Sequence, residues 1–194
     1  MVMPAPPPSS PAPRVTARRF TVDEVLAWPN DGNRYELVDG VLLVTPAPVP
    51  VHQVVAWRLA DAIGRRARTW PDVYVATPGG ILIRPGTTME PDILVFHTPS
   101  LQLEWEEIHD HWLAVEVFSP SSVVYDRDIK RDAYLQLGVG EVWLADVGRK
   151  TIFASHGGKD GARDQAYDRI LPWRPPLSLE PEAIDLAEIF AGLD

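Results

Sequence analysis

The seven residues Trp112-Leu113-Ala114-Val115-Glu116-Val117-Phe118 constrain this chain more than any other stretch, because the run is apolar on both faces of a strand except at Glu116. Period-two alternation puts Ala114, Glu116 and Phe118 on one face and Leu113, Val115 and Val117 on the other. A carboxylate in such a run is costly to bury without a partner. Two readings stay open at this point: a ligand for a bound cation, or one half of a structural ion pair that retains a buried charge.

The flanking patterns predict what surrounds that strand. Thr21-Val22-Asp23-Glu24 has the capping-box form ahead of Val25, Leu26 and Trp28, which predicts a short helix. The pair Asp39-Gly40 between two apolar stretches, 35–38 and 41–44, predicts a hairpin. Val55, Leu59 and Ile63 recur at four-residue spacing and predict a core-covering helix over about 51–70. Strands are expected at 73–75, 81–84, 91–96 and 112–118. A second helix is expected from 122 to about 137, with Ile129, Ala133 and Leu137 on one stripe and Gly138 ending it. A second hairpin joins 141–145 to 151–154, followed by a polar loop over 156–165, an irregular stretch at 172–176 and a short final helix over 182–190. This order predicts an α/β fold built on a mixed sheet flanked by helices.

At 194 residues, 45% of them apolar, the chain suffices for one continuous core. Residues 16–194 are therefore read as a single domain. Residues 1–15 alternate proline with small residues, lack the layout of a secretory signal, and are expected to form a disordered tail. The longest apolar runs, such as 93–96, are far shorter than the ~20 residues of a membrane-spanning helix, so no membrane is expected. The absence of cysteine excludes disulfides, thiolate ligands and a cysteine nucleophile, and makes a reducing cytoplasmic location the expectation. A formal net charge of −9 argues against a protein that coats nucleic acid through a broad basic surface. It does not exclude a nuclease, which can touch its substrate through a local patch and a bound metal.

Asp92 follows Pro91 at the entrance to the strand expected at 91–96, where an aspartate can simply be a turn residue. With Glu116 on a neighbouring strand, however, two carboxylates would project together, as a hard cation requires. Asp126, Lys130 and Tyr134 are spaced by four along the second expected helix. A surface Asp-to-Lys pair accounts for that spacing too. The helix begins a few residues after Glu116, through Ser119-Pro120-Ser121-Ser122, so its first turns can fold back toward the strand end. The Arg65, Arg66 and Arg68 cluster is read either as phosphate-contacting or as a solvated helix face.

The ordered series Tyr35-Glu36-Leu37-Val38-Asp39-Gly40, Pro91-Asp92, Glu116-Val117, Ser119-Pro120-Ser121, Asp126, Lys130, Tyr134 and Gly138-Val139-Gly140-Glu141-Val142-Trp143 resembles the Uma-type family of restriction endonucleases, within the PD-(D/E)XK nuclease superfamily. The similarity covers about 20–154. It implies a restriction endonuclease-like fold in which Asp92 and Glu116 bind Mg²⁺, with Mn²⁺ able to substitute. It also makes Glu36 a candidate further acidic residue, against the alternative of an exposed strand glutamate sharing a face with Val38. The wider superfamily carries a lysine two residues after the glutamate, where this chain has Phe118; the family resemblance moves that role to Lys130. His52 matches a histidine of the family and is placed beside the site at most, while Tyr134 is read as packing or as hydrogen-bonding the site.

The function expected on these grounds is metal-dependent hydrolysis of DNA, performed by a C2 homodimer. A non-catalytic interaction protein that keeps the fold is the rival, and a glycosidase built on a pair of carboxylates is a third reading. No glycine-flanked serine elbow accompanies Ser119, Ser121 or Ser122.

Overall fold

The structure is a computed structural model that describes residues 18–29, 31–45, 47–118 and 124–193, with 124–127 described by their backbone alone. The stretch 1–15 and the connection 119–122 lie outside the described residues.

Helix α1 (Val22–Leu26) starts at the expected capping box: Glu24 N–H donates to Thr21 Oγ1 at 3.2 Å and Thr21 N–H donates to Glu24 Oε2 at 2.8 Å. Strands β1 (Arg34–Val38) and β2 (Val41–Thr45) form the expected hairpin. Its turn residues Asp39 and Gly40 take φ of 49° and 78°, the left-handed pair that a tight hairpin of this hand demands. Helix α2 (Pro50–Ala67) buries Val55, Leu59 and Ile63 completely. There follow β3 (Val73–Ala76), β4 (Leu82–Arg84), β5 (Thr87–Met89), β6 (Ile93–His97), β7 (Asp110–Phe118) and α3 (Val124–Gln136). Gly138, at φ 89°, closes α3: its N–H donates to Leu135 O and that of Val139 to Tyr134 O, the two bonds of a Schellman stop. The chain continues through β8 (Glu141–Asp146), β9 (Thr151–His156), β10 (Gln165–Tyr167), β11 (Ile170–Trp173), β12 (Glu182–Asp185) and α4 (Leu186–Ile189).

The strands form a six-stranded sheet in the order β10-β9-β8-β7-β6-β3, a four-stranded sheet β2-β1-β5-β4 and the ribbon β11-β12. The large sheet is mixed, since β7 runs parallel to β8 and antiparallel to β6. Its inner strand β7 is covered on both faces, as its sequence requires. Leu113, Val115 and Val117 face a core shared with α2, α4 and the ribbon. Ala114 and Phe118 face a second core shared with α3, β4 and Met89 of β5. Glu116 lies on this second face. Among the described residues no helix is long and apolar enough to cross a membrane.

Three local expectations give way to tertiary structure. Strand β5 is three residues of Thr-Thr-Met, too short for a pattern, and exists because β1 and β4 flank it. The stretch expected to be irregular at 172–176 begins inside β11, where Pro172 is tolerated because β11 pairs only with β12. The final segment is not one helix from 182. Residues Glu182–Asp185 pair as β12, and only then does the Asp185 carboxylate cap α4 by accepting from Ala187 N–H at 2.9 Å.

Candidate functional site

The four-stranded sheet hands the chain to the six-stranded sheet through Glu90-Pro91-Asp92, which links β5 to β6. Extending the register of Ile93 with Val115 by one step sets Asp92 opposite Glu116. The Asp92 side chain confirms that proximity, because its Oδ2 accepts from Val117 N–H at 2.8 Å. Gly79 holds the crossing in place: its N–H donates to Pro91 O at 2.8 Å, and a Cβ there would lie 2.3 Å from that oxygen. No residue but glycine fits without moving the backbone that carries Asp92.

Lys130 and Tyr134, one turn apart on α3, both reach Glu116 from above the sheet. Lys130 Nζ donates to Glu116 Oε1 at 3.2 Å, and Tyr134 OH donates to the same oxygen at 2.6 Å. Lys130 Nζ also lies 2.6 Å from Glu36 Oε2, a charge contact off the alignment of a hydrogen bond. Glu36 is fixed through its other oxygen, which accepts from Glu90 N–H at 2.9 Å. The expected residues Glu36, Asp92, Glu116 and Lys130 are therefore brought together, each 4% exposed or less. For Glu36 this overturns the exposed-strand alternative: β1 sits in a second sheet folded against α3, so its glutamate faces inward. The side chain of Asp126 lies outside the described residues.

Two basic side chains, Arg34 and His52, flank Asp92 from the other side. Arg34 Nη1 donates to Asp92 Oδ1 at 3.1 Å and to Glu90 O at 3.0 Å, while His52 Nε2 lies 3.1 Å from Asp92 Oδ2. Sequence reasoning set His52 beside the site but missed Arg34. A strand-entry arginine next to Tyr35-Glu36 has no distinguishing pattern. Phe118 is half-buried and packs into the second core, so no cation occupies its position. Arg65 and Arg66 of α2 and Arg68 just beyond it each bond within the chain, Arg65 to Asp61, Arg66 to Ala62 O and Ala183 O, and Arg68 to Gly64 O.

Charge is unevenly balanced across this cluster. Burial disfavours the charge of Lys130, but Glu116 and Glu36 outweigh it and hold the ammonium protonated. Burial pushes the Glu116 carboxyl up to about 7; Lys130 opposes the rise, while Asp92 and Glu36 add to it. The two partners shift in the same direction because burial outweighs Lys130 at Glu116, whereas two carboxylates outweigh burial at Lys130. Asp92 moves the other way, below its usual range: its burial is outweighed by His52, Arg34 and the Val117 N–H. The site is thus short of positive charge at Glu116.

These residues fit a hard cation. All donors are oxygen, and Glu116 Oε2 receives no hydrogen bond among the described residues. Asp92 Oδ1 carries one contact, leaving a lone pair. Among the described residues no three acidic or histidine side chains are converged into a full cage. Two carboxylates completed by water and phosphate oxygens are the usual complement for Mg²⁺.

A further buried carboxylate lies away from this cluster, at a position of the 138–143 motif whose burial no local pattern marks. Glu141, at the start of β8, accepts from Trp143 Nε1 at 2.6 Å, and its burial, opposed by that bond, pushes the carboxyl up to about 7. A folded value raised above the unfolded 4.5 stabilises the protein fully below about pH 4.5 and loses that contribution as pH rises through about 7. Denaturant titrations across this window are expected to show a decline of roughly 3 kcal/mol from this group, at 1.36 kcal/mol per unit. Glu141→Gln is expected to remove it; an unchanged pH slope in that variant would contradict the assignment.

The family model described as "Uma2: Putative restriction endonuclease" matches residues 22–187. Among solved structures, the fold is similar to that of a "putative nuclease belonging to DUF820" from Anabaena variabilis, with a TM-score of 0.72 at 18% identity over 88% of this chain and 97% of that one. No curated protein matches the chain significantly.

Proposed function

Because the chain belongs to the Uma2 family of nucleases, we propose that it is a metal-dependent endonuclease that hydrolyses DNA phosphodiester bonds at the Asp92 and Glu116 cluster. The observation that carries this reading is the convergence of two buried carboxylates, one at the mouth of β6 and one on β7, with the Lys130 ammonium, at a site deficient in positive charge. Asp92 and Glu116 hold Mg²⁺, and Mn²⁺ substitutes for it. When bound, the ion polarises the phosphate and lowers the pKa of an attacking water.

The chain's own residues do the rest. Tyr134 and Lys130 occupy Glu116 Oε1 and so leave Oε2 for the cation. His52 and the Val117 N–H fix Asp92 Oδ2 and present Oδ1. Lys130, already protonated and held between Glu36 and Glu116, stabilises negative charge as it develops on the phosphate. Glu36 keeps that ammonium oriented. We extend the reading to a C2 homodimer acting on the two strands, in the cytoplasm.

Incubating the purified protein with supercoiled plasmid tests it. Nicking or linearisation is expected on adding Mg²⁺ or Mn²⁺ and is expected to stop with a chelator. Cutting undiminished by the chelator would contradict the proposal.

A further inference from the structure

Resting on that nuclease reading, we infer that Arg34 grips the substrate's phosphate, through the edge of its guanidinium that the protein leaves unused. Lys130 acts on the phosphate through its charge alone, since its ammonium is 3% exposed and held between Glu36 and Glu116, and it cannot close a hydrogen-bonded grip without abandoning those partners. Arg34 is the more open cation of the cluster, its side chain 23% exposed.

The geometry of its contacts decides what remains. Both hydrogen bonds of Arg34, to Glu90 O and to Asp92 Oδ1, come from the same nitrogen, Nη1. A guanidinium carries five N–H donors. The Nε–H and both Nη2–H groups have no partner among the described residues, and none of these nitrogens is sealed away from water as an unsatisfied atom. That unused edge is the one whose two parallel N–H groups match a pair of phosphate oxygens. The bonded edge keeps the group rigid, so little side-chain freedom is lost when the anion arrives. Burial works against the charge of Arg34, but Asp92, Glu116, Glu36 and Glu90 outweigh it and hold the guanidinium charged. The phosphate gripped there lies beside Asp92, the carboxylate to which Arg34 is already bonded.

Binding of a fluorescein-labelled DNA duplex to the full chain, followed by anisotropy over a range of salt concentrations in chelator, tests the inference. Arg34→Gln is expected to reduce the slope of log affinity against log salt by about 0.9, the value of one phosphate contact on B-DNA. Arg34→Lys retains a charge to pair with Asp92, with its fold checked by thermal melting. It is expected to keep the slope yet bind roughly tenfold more weakly, because an ammonium offers a point where the guanidinium offers a fork. A purely structural role for Arg34 would leave the salt slope unmoved. Unaltered affinity and slope in both variants, with cleavage still dependent on Asp92, would overturn the role of Arg34 alone. If the unaltered protein neither binds nor cuts the duplex, with or without Mg²⁺, the nuclease reading falls and this inference with it.

Discussion

Asp92→Ala and Glu116→Ala are each expected to lower Mg²⁺-dependent DNA cleavage by about 10³-fold or more, roughly 4 kcal/mol of barrier at 1.36 kcal/mol per decade. The expectation follows from how few ligands the protein supplies. With two carboxylates and, among the described residues, no third acidic or histidine side chain placed to complete a metal cage, loss of either leaves one anchor for the cation. The two variants should differ in fold stability. Removing Glu116 sheds a carboxylate that burial has already pushed up to about 7, which offsets part of the loss to Tyr134 OH and Lys130 Nζ of their shared acceptor. Removing Asp92 strands Arg34, His52 and the Val117 N–H without their shared acceptor. Cleavage rates measured at fixed Mg²⁺ on folded protein check the first statement, and retention of full activity by either variant would refute the assignment.

Lys130→Met is expected to be the most destabilising change in the cluster, at about 3–5 kcal/mol near neutral pH, because it leaves Glu116 and Glu36 buried without their ammonium. The pH dependence gives this loss its signature. Without Lys130 the Glu116 carboxyl rises further above about 7, and a raised folded value stabilises at low pH and is lost as pH increases. The deficit of the variant should therefore be smaller at about pH 5, where the Glu116 carboxyl takes up a proton, and larger at about pH 8. Denaturant unfolding at the two pH values measures it. A deficit below about 1 kcal/mol at both would mean that the contact of Lys130 with the two glutamates is not an energetic pair.

How much of this was legible in the sequence depends on whether the signal was local. Glu116 stood out because its strand is apolar on both faces, and β7 is indeed covered on both faces. Pro91 fixed the extended entry that makes Asp92 a strand-mouth residue. The four-residue spacing of Lys130 and Tyr134 put both on one side of α3, but the spacing is equally that of a surface pair. Only the packing of α3 over Glu116 distinguishes the two.

Glu36 and Arg34 show where local reading ends. Alternation within β1 cannot reveal that a second sheet will fold its glutamate against α3, so an exposed residue was an adequate reading of the same letters. Arg34 gains its role from Glu90 and Asp92, more than fifty positions away. The same limit explains β5, which has no pattern of its own, and β12, where pairing with β11 overrides the helical reading of 182–185. In each case the deciding partner is remote in the chain.

Calorimetric titration of the metal-free protein with Mn²⁺, alongside Glu116→Gln, tests most directly whether two remote carboxylates share one cation. The unaltered protein should bind the ion, and the glutamine variant, equal in size and still able to hydrogen-bond Tyr134, should lose that binding. Equal affinity in the two proteins would contradict the account, for it would put the ion elsewhere.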